Sequence, residues 1–336
     1  MRPFSRKTPV ADKAPPRPGE FFDRLFSTLS LPPRARNHPG MITLEERMAL
    51  YALARHYYAG TGIIVDAGIF LGASTACFAE GLRRRGIAEG KLIQSYDLPV
   101  CEPVIAPLVA GYYKEGFWKK EDIQKLGAWE TITAGANYEA VLRAHLKDYE
   151  PLIDLRLGDI RQTLAGEARP VEILFLDVCK NPSLNHHLVR ETFPNLIAGH
   201  SVVVQQDFFH EHLPWIHMTM GYLKNHFTYL GSVMTSAFFR CEKPIPPDLV
   251  ESDLWQSSNG EQAVALFDAG LPDTMLPDQH YLVGLARTLM LLHYKGSETA
   301  LNYLKTLKKP SYHEGGSLPW HLVDAAGIEA IVTGKH

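Results

Sequence analysis

Residues 62–75, GIIVDAGIFLGAST, decide the reading of this chain. The run Ile63-Ile64-Val65 is continuously β-branched rather than alternating, as a strand buried on both faces of a parallel sheet requires. Asp66 ends it, Gly68 and Gly72 shape a turn, and a helix is expected over Ser74–Arg84. Strand, glycine turn and helix N-terminus in that order bring unpaired backbone N–H groups and the positive end of a helix dipole to one point, where an anionic group can bind. A dinucleotide site of this layout needs G-x-G-x-x-G, and with Gly68 as its first position the second glycine is replaced by Phe70. That replacement disfavours NAD and FAD. The absence of G-x-x-x-x-G-K-[ST] disfavours a Walker-type phosphate cradle.

Outward from this unit, strand-like and helix-like segments alternate. Upstream, Thr43-Leu-Glu-Glu46 has capping-box spacing and opens a helix expected from Leu44 to Tyr58, stopped by Gly60 and Gly62. Downstream come KLIQSYD, NYEAVLRAHLKDY, LIDLRLGD, VEILFLD, LNHHLVRETFPNLI and HSVVVQQD, then a helix near Trp215–Asn225. The alternation predicts an α/β fold with a doubly wound, mostly parallel sheet. FTYLGSV and SAFFRCE are too close together for a parallel crossover, so they should form an antiparallel hairpin at the end of the sheet. The expected organisation is an N-terminal Pro/Arg-rich arm over 1–40, with a short helix around Phe21–Leu29, a central domain over 41–245, and a helical extension over 246–336. In the extension, Asp278–Leu307 reads as two helices split at Gly296. Residues 98–135 exceed what a crossover needs and form an insertion. Its aromatics, Tyr112, Tyr113, Phe117, Trp118 and Trp129, suit either a lid over a pocket or a packed excursion.

Composition excludes several classes. The 336 residues are 46% apolar and 21% charged, enough for a large core. Lys+Arg number 34 against Asp+Glu 37, a net charge of −3, so the chain lacks the basic footprint of a nucleic-acid binder. Four cysteines, at 77, 101, 179 and 241 and without a C-x-x-C pair, fit a reducing compartment. No apolar run has membrane-span length, and MRPFSRKTPV lacks the apolar core of a signal peptide, so a cytoplasmic location is expected.

The string from Asp66 to Thr75 resembles the first motif of class I S-adenosylmethionine-dependent methyltransferases, in particular the branch with the catechol and macrocin O-methyltransferases. The resemblance runs in order through Asp97, Gly158-Asp159-Ile160, Asp177 and Gln206-Asp207 to the hairpin, spanning Thr43–Glu242. It implies a Rossmann-like seven-stranded sheet and S-adenosylmethionine as cofactor. On that basis Gly68 and Gly72 admit the methionine part, Ser74 and the helix N-terminus lie near its carboxylate, and Asp66 offsets its cationic charges. Asp97 would accept the ribose hydroxyls, Asp159 would face the adenine amino group with Ile160 on the ring, and Asp177 completes the cofactor set. Asp66 and Asp159 also suit plain turn or helix-cap roles.

For catalysis, the catechol branch implies a magnesium site with a lysine base, and its places are held here by Asp177, Lys180, Gln206 and Asp207. Gln206 departs from that pattern, because an amide replaces a carboxylate and weakens any Mg²⁺ site. Lys180 acts as base only if desolvated enough to lower its pKa; a solvated loop lysine is the alternative. His210-Glu-His212, with His217 beyond, offers an imidazole base, and His210, nearest Asp207, is the candidate. Zinc at these histidines lacks supporting cysteines or an H-E-x-x-H context. The expected function is methyl transfer to a small-molecule acceptor, a hydroxyl oxygen of a sugar or natural product. The rivals are a catalytically silent methyltransferase-like binding or assembly module, and a nicotinamide-dependent oxidoreductase, which Phe70 disfavours. No nucleic-acid or membrane partner is expected, and a homodimer is the base-rate expectation.

Overall fold

The computed structural model describes residues 21–22, 30–103, 134–166, 169–310 and 325–334. The glycine unit forms as expected. Strand β1 (Ile63–Ala67) is buried along its whole length and leads through the glycine turn into a helix over Ala73–Arg84. It lies inside a seven-stranded sheet of order β3-β2-β1-β4-β5-β7-β6. The other strands are β2 (Ile93–Asp97), β3 (Ile153–Leu157), β4 (Val171–Leu176), β5 (Val202–Gln205), β6 (Phe227–Val233) and β7 (Ser236–Cys241). β1 to β5 are mutually parallel, and β7 runs antiparallel to both β5 and β6. The fold is the doubly wound, mostly parallel sheet expected from the alternation, with the seven strands of the Rossmann-like sheet that the resemblance implied. Sequence spacing did not show that the second hairpin strand, β7, inserts between β5 and β6. This sets Gln205 opposite Ala237 and brings the hairpin turn to the carboxyl end of the parallel strands.

Helices cover both faces. On one face lie α1 (Leu44–Ala52), α2 (Ala73–Arg84) and α3 (Glu139–Leu146), whose apolar sides join Ile64, Ile93, Ile173 and Val204 in one core. On the other face α4 (Pro182–Thr192) and α5 (Pro214–Tyr222) pack over Val65, Leu174 and Val203. This second core extends into α6 (Gly260–Ala269), α7 (Pro277–Lys295), α8 (Ser297–Leu304) and α9 (Ala325–Thr333) of the C-terminal extension. The break between α7 and α8 falls at Gly296, as expected.

The capping box at Thr43 and Glu46 is present, with each residue bonding the other's backbone N–H. The helix it opens has the expected length, but its last turn is not α-helical. Its α-turns end at Ala52 and the backbone continues as a π-turn over Leu53–Tyr57. Residues 30–42 pack on α1. The buried Arg47 donates to the carbonyls of Ala35, His38, Gly40 and Ile42, so its guanidinium replaces solvent with four acceptors. Of the helix expected around Phe21–Leu29, only Phe21 and Phe22 lie within the described residues, and both are helical. The aromatics of the insertion lie outside the described residues. Its two ends are held side by side, with Val100 bridging Asn137 and Cys101 N–H donating to Ala136 O. Among the described residues no helix is long and apolar enough to cross a membrane.

The extension is seated by a close backbone crossing. A Cβ on Gly221 of α5 would lie 1.8 Å from the Leu266 carbonyl oxygen, and one on Gly270, just after α6, would lie 2.0 Å from that of His217. Neither contact can relax by turning a side chain. Gly221→Ala or Gly270→Ala should therefore cost about 1–3 kcal/mol or more through backbone displacement. Thermal unfolding should show a midpoint several degrees lower than wild type, whereas Gly199→Ala, whose Cβ meets nothing within 4 Å, loses only its left-handed turn preference.

Candidate functional site

The loops after β1 and β4 meet where the sheet order reverses, the position at which doubly wound sheets bind ligands. The turn after β1 is unusual in having three residues with left-handed backbone, Gly68 (φ 95°), Phe70 (φ 49°) and Gly72 (φ 96°). Gly68 is glycine because a Cβ there would approach the Asp177 backbone to 2.8 Å, so the two loops touch backbone to backbone. Phe70, at a conformation that costs an L-residue about 1–2 kcal/mol, donates its N–H to the Asp97 carboxylate at the tip of β2. The other Asp97 oxygen accepts from Tyr138 Oη at 2.8 Å, and the Tyr138 ring packs edge-on against Phe70 with centroids 5.4 Å apart. Burial pushes the Asp97 carboxyl up to about 6, against the lowering effect of these hydrogen bonds. Gly158 N–H donates to the Asp97 carbonyl at 2.9 Å, placing the β3 tip beside it.

Behind the turn, Asp66 is fully buried. Its Oδ2 accepts from Thr75 Oγ1 at 2.6 Å, which ties β1 to the start of α2. Its Oδ1 has no partner among the described residues. Burial raises this carboxyl to about 7, with Thr75 and Ser74 opposing. Asp66 thus links β1 to the start of α2 through Thr75 and keeps one acceptor oxygen unpartnered among the described residues. Asp159 is an N-cap, accepting from Arg161 N–H at 3.0 Å. Both its oxygens engage the Arg161 side chain, which together with that backbone bond holds the carboxyl down at about 2. Ile160 beside it is buried.

At the tips of β4 and β5 the expected metal set is organised differently. Lys180 Nζ lies 2.8 Å from Asp177 Oδ1 and also pairs with Asp207 Oδ2, so an ammonium occupies the point where the two carboxylates converge. The Lys180 side chain is half-exposed, and the two carboxylates hold its ammonium above the ordinary range. This corrects two expectations. Lys180 is a doubly paired cation rather than a lysine poised to accept a proton, and Asp177 and Asp207 already share a counter-ion. No cluster of three His, Cys, Asp or Glu suited to a metal exists among the described residues. Gln206 is nine-tenths buried with Oε1 unpartnered, and one amide oxygen does not complete a Mg²⁺ site. The residues present therefore do not fit a divalent cation.

Sequence reasoning missed Glu46 as a neighbour of this cluster. It is 2% exposed and accepts from Ser236 Oγ at 2.8 Å, joining α1 to the hairpin turn. Burial raises its carboxyl, with a smaller contribution from the charge of Asp207. Burial acts to raise the Asp177 carboxyl, with Asp207 reinforcing and the Lys180 ammonium opposing. The capping-box pattern located Glu46, but nothing local revealed its second contact. Tyr138 carried no signal, because its partner lies 41 positions away.

The histidines separate. His210 follows Asp207, its N–H bonding the Asp207 carbonyl at 3.0 Å. Its partly exposed ring accepts weakly at Nδ1 from His212 N–H at 3.3 Å. His212 lies beside it with ring centroids 5.6 Å apart. His217 does not join them. It is fully buried between Phe208 and Phe267, both ring nitrogens lack partners among the described residues, and burial lowers it to about 3. A separate, narrow cleft between α4, α5 and the segment before α6, lined by Asn185, Trp215, Tyr222 and Trp255, shares no residue with these loops.

No protein-family model matches the chain, and no curated protein matches it. Among solved structures it is similar to the apo form of CalS11, a TDP-rhamnose 3'-O-methyltransferase of calicheamicin biosynthesis. The identity is 18% and the TM-score 0.38, over 58% of this chain and 78% of that one. A second structure of the calicheamicin methyltransferase CalS11 gives 19% identity and a TM-score of 0.40, over the same shares.

The ion cluster makes a direct prediction. Calorimetric titration with Mg²⁺ should show no binding to wild type, whereas Lys180→Met, which leaves Asp177 and Asp207 facing each other, should acquire weak Mg²⁺ affinity. Saturable Mg²⁺ binding by wild type would restore the metal site.

Proposed function

We propose that this chain binds S-adenosylmethionine at the turn after β1 and transfers its methyl group to a hydroxyl oxygen of a small molecule held over β4 and β5. The observation that carries the reading is Asp97, a carboxylate fixed at the tip of β2 against a left-handed glycine turn that opens a helix. A carboxylate there, with lone pairs beyond the two it uses, suits two vicinal ribose hydroxyls. The backbone of Gly68–Gly72, Ser74 and the start of α2 would face the amino-acid carboxylate. The unpartnered Asp66 oxygen suits its cationic end, and Ile160 with Asp177 would complete the cofactor contacts. Asp159 contributes less to adenine than the motif implies, because Arg161 holds both its oxygens. When bound, the cofactor supplies a methyl group already activated by its sulfonium.

The remaining work is positioning the acceptor and removing its proton. Lys180, locked as an ammonium by Asp177 and Asp207, would donate to the acceptor oxygen and stabilise the negative charge that grows as its proton leaves. His210 beside Asp207 would take that proton, and its Nδ1 lone pair, held weakly at 3.3 Å, is the available site. In this arrangement Asp207 is a positioning residue.

Calorimetry should give micromolar affinity for S-adenosylmethionine and none for NAD, and Asp97→Ala should weaken the former by about 100-fold, the worth of two charge-assisted hydrogen bonds. Only ionised Asp97 accepts both hydroxyls. Affinity should therefore be full above about pH 7 and fall up to tenfold per unit below its pKa of about 6. Equal affinity for S-adenosylmethionine in wild type and Asp97→Ala would refute the assignment. For turnover, His210→Ala should lower kcat by about 100-fold, the usual worth of a general base, whereas His212→Ala should leave it near wild type.

A further inference from the structure

Resting on the cofactor reading above, we propose that His38 and His145 form a proton-sensitive brace that sets the shape of the Gly68–Gly72 turn from its outer side, as positioning residues for the ligand on its inner side. Both rings converge on one atom. The Leu71 carbonyl oxygen lies 3.0 Å from His38 Nε2 and 3.2 Å from His145 Nδ1, with the ring centroids 5.5 Å apart. A carbonyl oxygen can only accept, so His38 is the Nε2–H tautomer and His145 the Nδ1–H tautomer. The turn is thus gripped from two sides, by Asp97 accepting from Phe70 N–H within and by two imidazoles donating to Leu71 O without.

The outer side has no slack. A Cβ on Gly72 would lie 2.7 Å from the Leu146 side chain and 3.2 Å from His38 Nε2. His38 is held in turn by α1, since its own carbonyl accepts from Arg47 at 2.6 Å. His145 belongs to α3, the helix that follows the insertion. Neither histidine stands in the motif region, so the turn takes its geometry from chain on either side of it.

The gripping rings are neutral because of burial: protonation would keep each N–H on Leu71 O, and that bond favours the charged form, but desolvation outweighs it. Burial, then the charge of His145, hold His38 down at about 3, and burial lowers His145 too. The charged or titratable groups that face the pair are Arg47 from α1, with Cys77 of α2 beyond it. A released histidine titrates near its ordinary value. As pH falls below about 6.5 each protonation therefore favours release, by up to about tenfold per unit for each ring, and the grip is full only above that pH.

The test is amide hydrogen exchange, expressed as protection factors for residues 66–76 in the ligand-free chain, at about pH 7.5 and about pH 5.5. His38→Ala and His145→Ala should each lose about tenfold or more in protection. His38→Gln and His145→Asn place an amide N–H where each imidazole N–H stood and should restore most of it. Wild type should lose protection on acidification by about tenfold for each ring that lets go, and the double variant His38→Gln/His145→Asn should lose clearly less, although both contain Asp66 and Asp97. In parallel calorimetry S-adenosylmethionine affinity should drop in the alanine variants and recover in the amide variants. Unchanged protection in both alanine variants, or the same acid response in wild type and the double amide variant, would overturn the brace. If the alanine variants do not fold, the amide variants alone decide through that acid response. Wild type that binds no S-adenosylmethionine refutes the cofactor reading, while the exchange data still judge the brace.

Discussion

The hydrogen bond from Phe70 N–H to the Asp97 carboxylate is the interaction on which the candidate site depends. Phe70 has a left-handed backbone without the freedom of glycine, a conformation that persists only where its surroundings enforce it. Asp97 supplies that enforcement from β2, Tyr138 packs on the Phe70 ring, and the two histidines hold the next carbonyl from outside. The same bond explains how a phenylalanine occupies a position where a dinucleotide site needs glycine. The turn is shaped by a neighbouring strand tip.

The second organising element is the ammonium of Lys180 between Asp177 and Asp207. Two carboxylates at the ends of adjacent strands repel unless a cation or a proton lies between them. This chain supplies its own cation from the loop after β4. Glu46 adds a third carboxyl nearby, itself buried, and links the N-terminal helix to the hairpin turn through Ser236. The end of the sheet that would receive an acceptor is therefore built from α1, β4, β5 and β7 together, and Lys180 serves it as a fixed charge.

The glycine unit, the order of strands and helices, the hairpin and the capping box were legible in the sequence, because each is written in local periodicity or in spacings of a few residues. The placement of β7 between β5 and β6 was not, since hairpin spacing fixes pairing within the hairpin and leaves open which strand meets the sheet. At the site, the acidic strand tips were legible by position, whereas their chemistry depended on distant partners. Arg161 occupies Asp159, Lys180 occupies Asp177 and Asp207, and Phe208 with Phe267 enclose His217. Tyr138, His38 and His145 escaped notice for the same reason. Their spacing from Asp97 and Leu71 in the chain carries no pattern, and only packing brings them together.

The central claim is that the turn after β1, with Asp97, is the cofactor cradle. A crystal structure of the wild-type chain soaked with S-adenosylhomocysteine tests it most directly. The account expects density between Gly68–Gly72 and the tip of β2, with both ribose hydroxyls on Asp97 and the amino-acid end toward Ser74 and Asp66. An ordered turn with no density beside it, or density only in the Trp215–Trp255 cleft between α4 and α5, would contradict it.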